Sequence, residues 1–201
     1  MSKYNLETIN CGTSKMKNFK ILDNLPVLPL YEEFNQLIES GKLQWNRRDQ
    51  ICINSVAGHE TDTEYGVGSL ILDWKKSKKL KDGSLSIPNR DKVLKEEDFT
   101  ELCTLFVGTV FEDLYNILNQ TYKIGRIRIM NLDPKECLSW HSDPSPRLHF
   151  PLKTQEGCLM IIEDEVFHLP INKWCLTDTT KYHTALNGSI EPRLHLVAAI
   201  L

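Results

Sequence analysis

The sequence predicts a mainly β fold of the α+β kind: a jelly-roll core propped by helices. Three observations carry that expectation. Helical periodicity is confined to the part of the chain before Tyr122. From Gly125 to Leu201 the apolar residues fall in short, strand-length runs. Turn signals at Asp133-Pro134, Glu156-Gly157, Pro170 and Asn187-Gly188 separate those runs. Helices first and then many short strands lead to a sandwich or barrel with helical support.

Met1 to Met16 is polar and without period, which reads as a flexible N-terminal tail over 1–16. One domain follows over 17–201, with a buttress over 17–124 and the core over 125–201. Phe19 to Leu22 is a short strand, stopped by Asp23-Asn24 and Pro26. Tyr31, Phe34, Leu37 and Ile38 recur at helical spacing, with Gly41 as the C-terminal stop. Gln50 to Val56 alternates polar and apolar residues and reads as a strand, and Ser69 to Trp74 is a second candidate. Lys75 to Asp91, with five lysines between Lys75 and Lys81, reads as a solvated loop, with a lid or a contact for an anionic partner as the alternative. Phe99, Leu102, Cys103, Phe106, Val110, Phe111, Leu114, Ile117 and Leu118 form one wide apolar stripe, which predicts a helix over Glu96 to Thr121. Acidic Glu96, Glu97 and Asp98 suit the start of such a helix. The core strands are expected at Arg126–Leu132, Arg147–Leu152, Cys158–Glu163, Glu165–Leu169, Trp174–Thr177, His183–Leu186 and Arg193–Leu201.

The composition, 41% hydrophobic and 25% charged with a net charge of −3, is that of an ordinary globular chain. It does not advertise an anionic membrane or nucleic acid as a partner, and the lysine loop lacks interleaved aromatics for base stacking. No apolar run reaches the length of a membrane span, and the first twenty residues lack the apolar stretch of a secretory signal. The six cysteines are widely spaced with no C-x-x-C pair, so reduced thiols in the cytoplasm are expected.

The chemistry gathers in the core segment. His141-x-Asp143 followed by His183 is the order of a two-histidine, one-carboxylate ligand set. In a strand, residues two apart share a face, so His141 and Asp143 can meet one ion. Two imidazoles and a carboxylate hold Fe(II) and leave coordination positions open for 2-oxoglutarate and O2. Arg193, ten residues past His183, suits the far carboxylate of 2-oxoglutarate, because a guanidinium grips carboxylates in a bidentate fork. If Gly188 centres a hairpin, His183 and Arg193 lie opposite each other, with Cβ atoms about 4.5–5.5 Å apart. Asn187 and Asp178 are candidates to hold the ligand rings. Trp140 and Trp174 read as packing residues, and His59 and His168 as surface or strand residues. His195 is balanced between core and site.

Together, Gly125-Arg126-Ile127-Arg128, His141-x-Asp143, Arg147-x-His149-x-Pro151-Leu152, Trp174, His183-x-x-x-Asn187 and Arg193-x-His195 resemble the aspartyl/asparaginyl β-hydroxylase-like branch of the 2-oxoglutarate oxygenases. The resemblance implies a double-stranded β-helix of the cupin-like kind and a dioxygenase that releases succinate and CO2, with ascorbate as a possible support. It implies His141, Asp143 and His183 as iron ligands and Arg193 on the distal carboxylate. Arg147 and His149 would contact 2-oxoglutarate or an anionic substrate group. The substrate would be an amino-acid side chain of the Asp, Asn or Pro type, free or in a peptide. The competing readings are a non-catalytic jelly-roll with a metal-like pocket, a zinc hydrolase, and the same oxygen chemistry on nucleic acid.

Overall fold

The computed structural model describes residues 17–46 and 49–201, so the expected N-terminal tail lies outside the described residues. The elements run β1 (Phe19–Leu22), α1 (Leu30–Glu39), β2 (Gln50–Cys52), β3 (Asn54–Ser55), β4 (Lys78–Lys79), β5 (Leu85–Ser86), β6 (Glu101–Leu102) and α2 (Val110–Thr121). The core follows as β7 (Ile124–Leu132), β8 (Arg147–Lys153), β9 (Cys158–Ile162), β10 (Glu165–Phe167), β11 (Trp174–Thr177), β12 (His183–Asn187) and β13 (Arg193–Ile200). A six-stranded sheet in the order β1-β11-β8-β13-β7-β2 faces a three-stranded sheet in the order β10-β9-β12. From β8 onward the chain passes back and forth between the two sheets. This is the double-stranded β-helix, closed at one edge of the larger sheet by the N-terminal β1.

Alternation along three central strands separates support from chemistry, because successive side chains of a strand point to opposite faces. Ile127 and Ile129 of β7, Leu148 and Phe150 of β8, and Leu196 and Ala198 of β13 point to one face. There they pack with Leu30, Phe34 and Leu37 of α1 and with Phe111, Leu114 and Leu118 of α2. The intervening residues, Arg126, Arg128, Arg147, His149, Arg193 and Val197, line a cleft on the other face. A smaller apolar cluster of Phe19, Met160, Ile162, Leu169 and Cys175 fills the space between the sheets.

The helix expected over Glu96 to Thr121 is only half present. Glu96–Asp98 and Thr104–Phe106 are single 3-10 turns, and Glu101–Leu102 is the strand β6, paired with β3. Gly108 adopts φ +76°, and the Thr109 hydroxyl then caps α2 by accepting from the Phe111 amide at 3.2 Å. The apolar stripe is real, since Phe99, Cys103 and Phe106 are buried. They are buried by a folded-back segment rather than by one helix face. The expected strand at Gln50 to Val56 is split into β2 and β3. Ser69 to Trp74 is a loop with a lone bridge between Leu72 and Asn89. The lysine segment carries the exposed β4–β5 ribbon, and Lys75 and Lys76 pair with Asp62, Asp73 and Asp91.

Gly125 is required by close packing. A Cβ there would lie 2.8 Å from the Glu96 Cβ and 3.1 Å from the Ala199 Cβ. Gly125→Ala is therefore expected to cost about 1–3 kcal/mol by overpacking, read as a lower urea midpoint.

Candidate metal centre and active-site cleft

The cleft, about 1240 Å³, opens between the two sheets and is roofed by residues 68–71 and Val93-Leu94. At its smaller-sheet wall sit His141, Asp143 and His183, whose ligand atoms all lie within 4.8 Å of one another. His183 opens β12. His141 and Asp143 do not sit in a strand, as expected, but on the connection between β7 and β8. That connection is laid against β12 by a lone bridge, with His141 N to His183 O at 3.1 Å and His183 N to His141 O at 2.8 Å. The Asp143 amide bonds Thr179 O at 2.8 Å, which brings the carboxylate beside the two rings.

Both imidazoles are held by backbone carbonyls. His141 Nδ1 lies 2.6 Å from Ser139 O, and His183 Nδ1 lies 3.0 Å from Lys181 O. With Nδ1 donating, each Nε2 carries a lone pair for an ion. Burial lowers the His183 pKa against the opposing pull of the Lys181 carbonyl, which favours the neutral, metal-binding ring. Asp143 Oδ2 is 3.8 Å from His183 Nε2. Two nitrogens and one carboxylate oxygen at this spacing fit an ion with bonds of about 2.1 Å after a small inward move. The cleft side of the cluster is open.

Arg193 lies in the larger sheet, opposite Leu132 of β7, not across a hairpin from His183. β12 pairs with β9 instead, so the expected register does not form. The connection 188–192 crosses from one sheet to the other. Arg193 still reaches the same cleft. Its side chain is buried, and its guanidinium makes no ion pair or hydrogen bond with a described residue. Burial lowers its pKa to about 10, with the Cys158 thiol pulling the other way. Asn187 and Asp178 do not hold the ligand rings. Asn187 donates to Leu132 O and Glu191 O and so pins the crossing, while Asp178 accepts from Thr180.

Arg147 is buried; it donates Nη1 to Ser145 Oγ at 2.8 Å and Nη2 to Glu96 Oε1 at 2.9 Å, and its Nε forms an ion pair with Asp143 Oδ2 at 3.1 Å. The sequence reading missed Glu96 in this role, along with Arg126 and Arg128. Its one available signal was a pair of arginines two apart in an apolar strand. Arg128 is buried, with Nη1 on Gln50 Oε1 at 2.9 Å and Nε without a partner. Burial and then the nearby Arg126 charge lower its pKa to about 9. Register places Arg128 and His149 level with Val197, four residues from Arg193 and so roughly 13 Å along the sheet. The cleft therefore has two cationic ends.

His149 and His195 are buried, with rings 5.9 Å apart and no hydrogen-bond partner on either nitrogen among the described residues. Burial, then the Arg193 charge, holds both well below the usual histidine range. Such rings stay neutral in the native state while the unfolded chain takes up protons. Stability should thus fall as pH drops below about 6.5, by about 1.4 kcal/mol per pH unit per ring. Urea midpoints at pH 6.5 and 5.5 measure the slope, and His195→Phe should remove one ring's share.

The other expected residues are placed as follows. Trp174 is buried and donates Nε1 to Pro26 O, a packing residue as expected. Trp140 is 51% exposed, so it is not one. His59 stacks on Tyr65, and His168 Nδ1 meets Cys158 O. Cys52, Cys103, Cys158 and Cys175 are buried thiols and Cys137 is exposed; Cys11 lies outside the described residues. No described helix is long and apolar enough to cross a membrane.

A family model described as aspartyl/asparaginyl beta-hydroxylase matches residues 74–201, which takes in the whole core and all of the cleft's charged groups except Asp49. The chain belongs to this family. Among curated proteins, the L-proline cis-4-hydroxylase of Rhizobium meliloti (strain 1021) is 34% identical over 76 residues, which is 35% of this chain and 27% of that one. The match thus spans about a quarter of that relative's length. Among solved structures, a 2OG-Fe(II) oxygenase family oxidoreductase from Burkholderia pseudomallei is similar over 38% of this chain and 42% of its own, at 16% identity and a TM-score of 0.35. A cupin domain from Bordetella pertussis Tohama I is similar over 38% of this chain and 80% of its own, at 15% identity and a TM-score of 0.34.

Proposed function

We propose that this β-hydroxylase family member is an Fe(II)- and 2-oxoglutarate-dependent dioxygenase that hydroxylates an amino-acid side chain, free or within a peptide. One observation carries the reading. A two-histidine, one-aspartate cluster opens into the same cleft as a buried arginine that has no ion-pair or hydrogen-bond partner among the described residues. His141, Asp143 and His183 would hold the iron, which supplies open coordination positions for O2 and for the 2-oxo acid end of 2-oxoglutarate. Arg193 would grip the far carboxylate through paired, charge-assisted bonds in a site already stripped of water. The co-substrate leaves as succinate and CO2, and one oxygen atom enters the substrate. His149, neutral and on the cleft wall, would donate or accept a hydrogen bond beside the co-substrate. Arg147 is better placed to hold Asp143 than to bind either small molecule, given its three protein partners.

The second cationic end, at Arg128, supports a substrate that brings a carboxylate. The proline hydroxylase relative favours a free amino acid as the first class to try. Buried thiols at Cys52, Cys103 and Cys158 favour a reducing compartment, the cytoplasm.

The test is succinate formation from 2-oxoglutarate with Fe(II) and ascorbate, across free amino acids, Asp- and Asn-containing peptides and single-stranded DNA. Turnover stimulated by an amino acid or peptide is expected. Stimulation by DNA alone would move the substrate class. No succinate above background under any condition, with 2-oxoglutarate bound no better than by Arg193→Met protein, would remove the reading.

A further inference from the structure

We propose that Glu96, remote in sequence from the metal motif, is a positioning residue that sets the orientation of Asp143 through Arg147. The inference rests on the reading of Asp143 as a metal ligand.

Glu96 sits on a 3-10 turn packed against the start of β7, and it is 4% exposed. Removing a carboxylate from water costs several kcal/mol unless strong bonds replace the water. Glu96 has four such bonds. Oε2 accepts from Arg126 N at 3.1 Å and Arg126 Nε at 3.2 Å, and Oε1 accepts from Arg126 Nη2 at 3.0 Å and Arg147 Nη2 at 2.9 Å. Arg126 is itself fixed, donating Nη1 to Gly66 O at 2.6 Å and Gly68 O at 3.1 Å. The series therefore starts at rigid backbone and ends at the metal cluster: the carbonyls of Gly66 and Gly68, Arg126, Glu96, Arg147, then Asp143 Oδ2.

The last link is the informative one. Arg147 Nε holds the same Asp143 oxygen that faces His183 Nε2 at 3.8 Å. A guanidinium with only Asp143 to satisfy it would draw that oxygen toward itself and away from an ion. Glu96 gives Arg147 a second carboxylate on the opposite side. It fixes the guanidinium plane and divides its charge, which leaves the Asp143 carboxylate in a single ion pair with Arg147 and free to ligate. A site needing only packing here would be better served by apolar side chains. Burial raises the Glu96 pKa, but Arg126 and then Arg147 overcome that and hold it at about 2, so the carboxylate is charged at any working pH.

The test compares Mn(II) binding by wild-type protein, Glu96→Gln, Glu96→Asp and Arg147→Met, read from the free Mn(II) signal in electron paramagnetic resonance, with Tm of the metal-free proteins as a fold control. Glu96→Gln should weaken Mn(II) by roughly 10- to 100-fold, the range for groups that orient metal ligands. Glu96→Asp, which keeps the charge, should fall between it and wild type. In the Arg147→Met background, Glu96→Gln should have no further effect, because its route to Asp143 is gone. A folded Glu96→Gln protein that binds Mn(II) within about threefold of wild type, against that same range, would overturn the inference while leaving the metal site standing. If Gln does not fold, Glu96→Asp with wild-type affinity does the same. Wild-type protein that fails to bind Mn(II), or binds it unchanged after His183→Ala, would remove the metal reading and this inference with it.

Discussion

Replacing Arg193 with Met is expected to weaken 2-oxoglutarate binding by roughly 30- to 4000-fold, the equivalent of the ~2–5 kcal/mol lost when one partner of a buried charge pair is removed. The same change should raise the Tm of the ligand-free protein. Arg193 is a buried cation with no ion-pair or hydrogen-bond partner among the described residues, so the folded chain bears its desolvation until a diacid arrives. Met fills similar space without that penalty. The pH dependence has a definite sign. A base whose pKa is depressed on folding, here to about 10, penalises the native state while it is charged. The penalty is full at neutral pH and shrinks as pH rises through about 10 toward the higher value of an exposed arginine. The stability gap between Arg193→Met and wild type should therefore narrow in that window. Isothermal titration with 2-oxoglutarate in the presence of Mn(II), beside thermal melts without it, checks both halves. A variant that is less stable and still binds 2-oxoglutarate would mean that Arg193 is a structural residue.

The second large effect belongs to the metal cluster. His183→Ala should bring succinate release to background and lower Mn(II) affinity by more than ~100-fold, beyond what loss of an outer orienting group causes. His183 holds its ring by Lys181 O and its backbone to His141 in both directions. Alanine keeps the backbone ladder, so His141 and Asp143 should stay in place and the fold should survive. Burial disfavours a charged imidazole at this position, and its loss leaves the metal-free stability close to wild type. Near-UV circular dichroism and the urea midpoint of the metal-free variant separate a lost ligand from a lost fold.

The core strands were readable because each is short, apolar on one face and bounded by Gly, Pro or Asn. Seven expected segments from Arg126 onward match β7 to β13 within a few residues. The convergence of His141, Asp143 and His183 was readable because these residue types are rare together in one β-rich segment. The helix at Glu96 was misread because an apolar stripe records burial and not the path of the backbone. The Gly108-Thr109 break was the available sign, since a glycine before a capping threonine starts a helix anew. Sheet assignment was misread at Asn187-Gly188, where a hairpin-like dipeptide sits in a crossing between sheets. Glu96 was the hardest to see. Nothing in the sequence separates it from its exposed neighbours Glu97 and Asp98, and only the missing side chain of Gly125 lets it approach β7.

The crossing at residues 188–192 has a consequence for selectivity. The cluster of His141, Asp143 and His183 belongs to one wall of the cleft and the Arg193 guanidinium to the other, and Asn187 lashes the strap between them to Leu132 and Glu191. The span from ion to guanidinium is thus a property of the backbone, as with the jaws of a fixed caliper. A diacid one carbon shorter or longer would meet only one jaw, so oxaloacetate or 2-oxoadipate should be poor stand-ins for 2-oxoglutarate whatever side chain occupies the rest of the cleft.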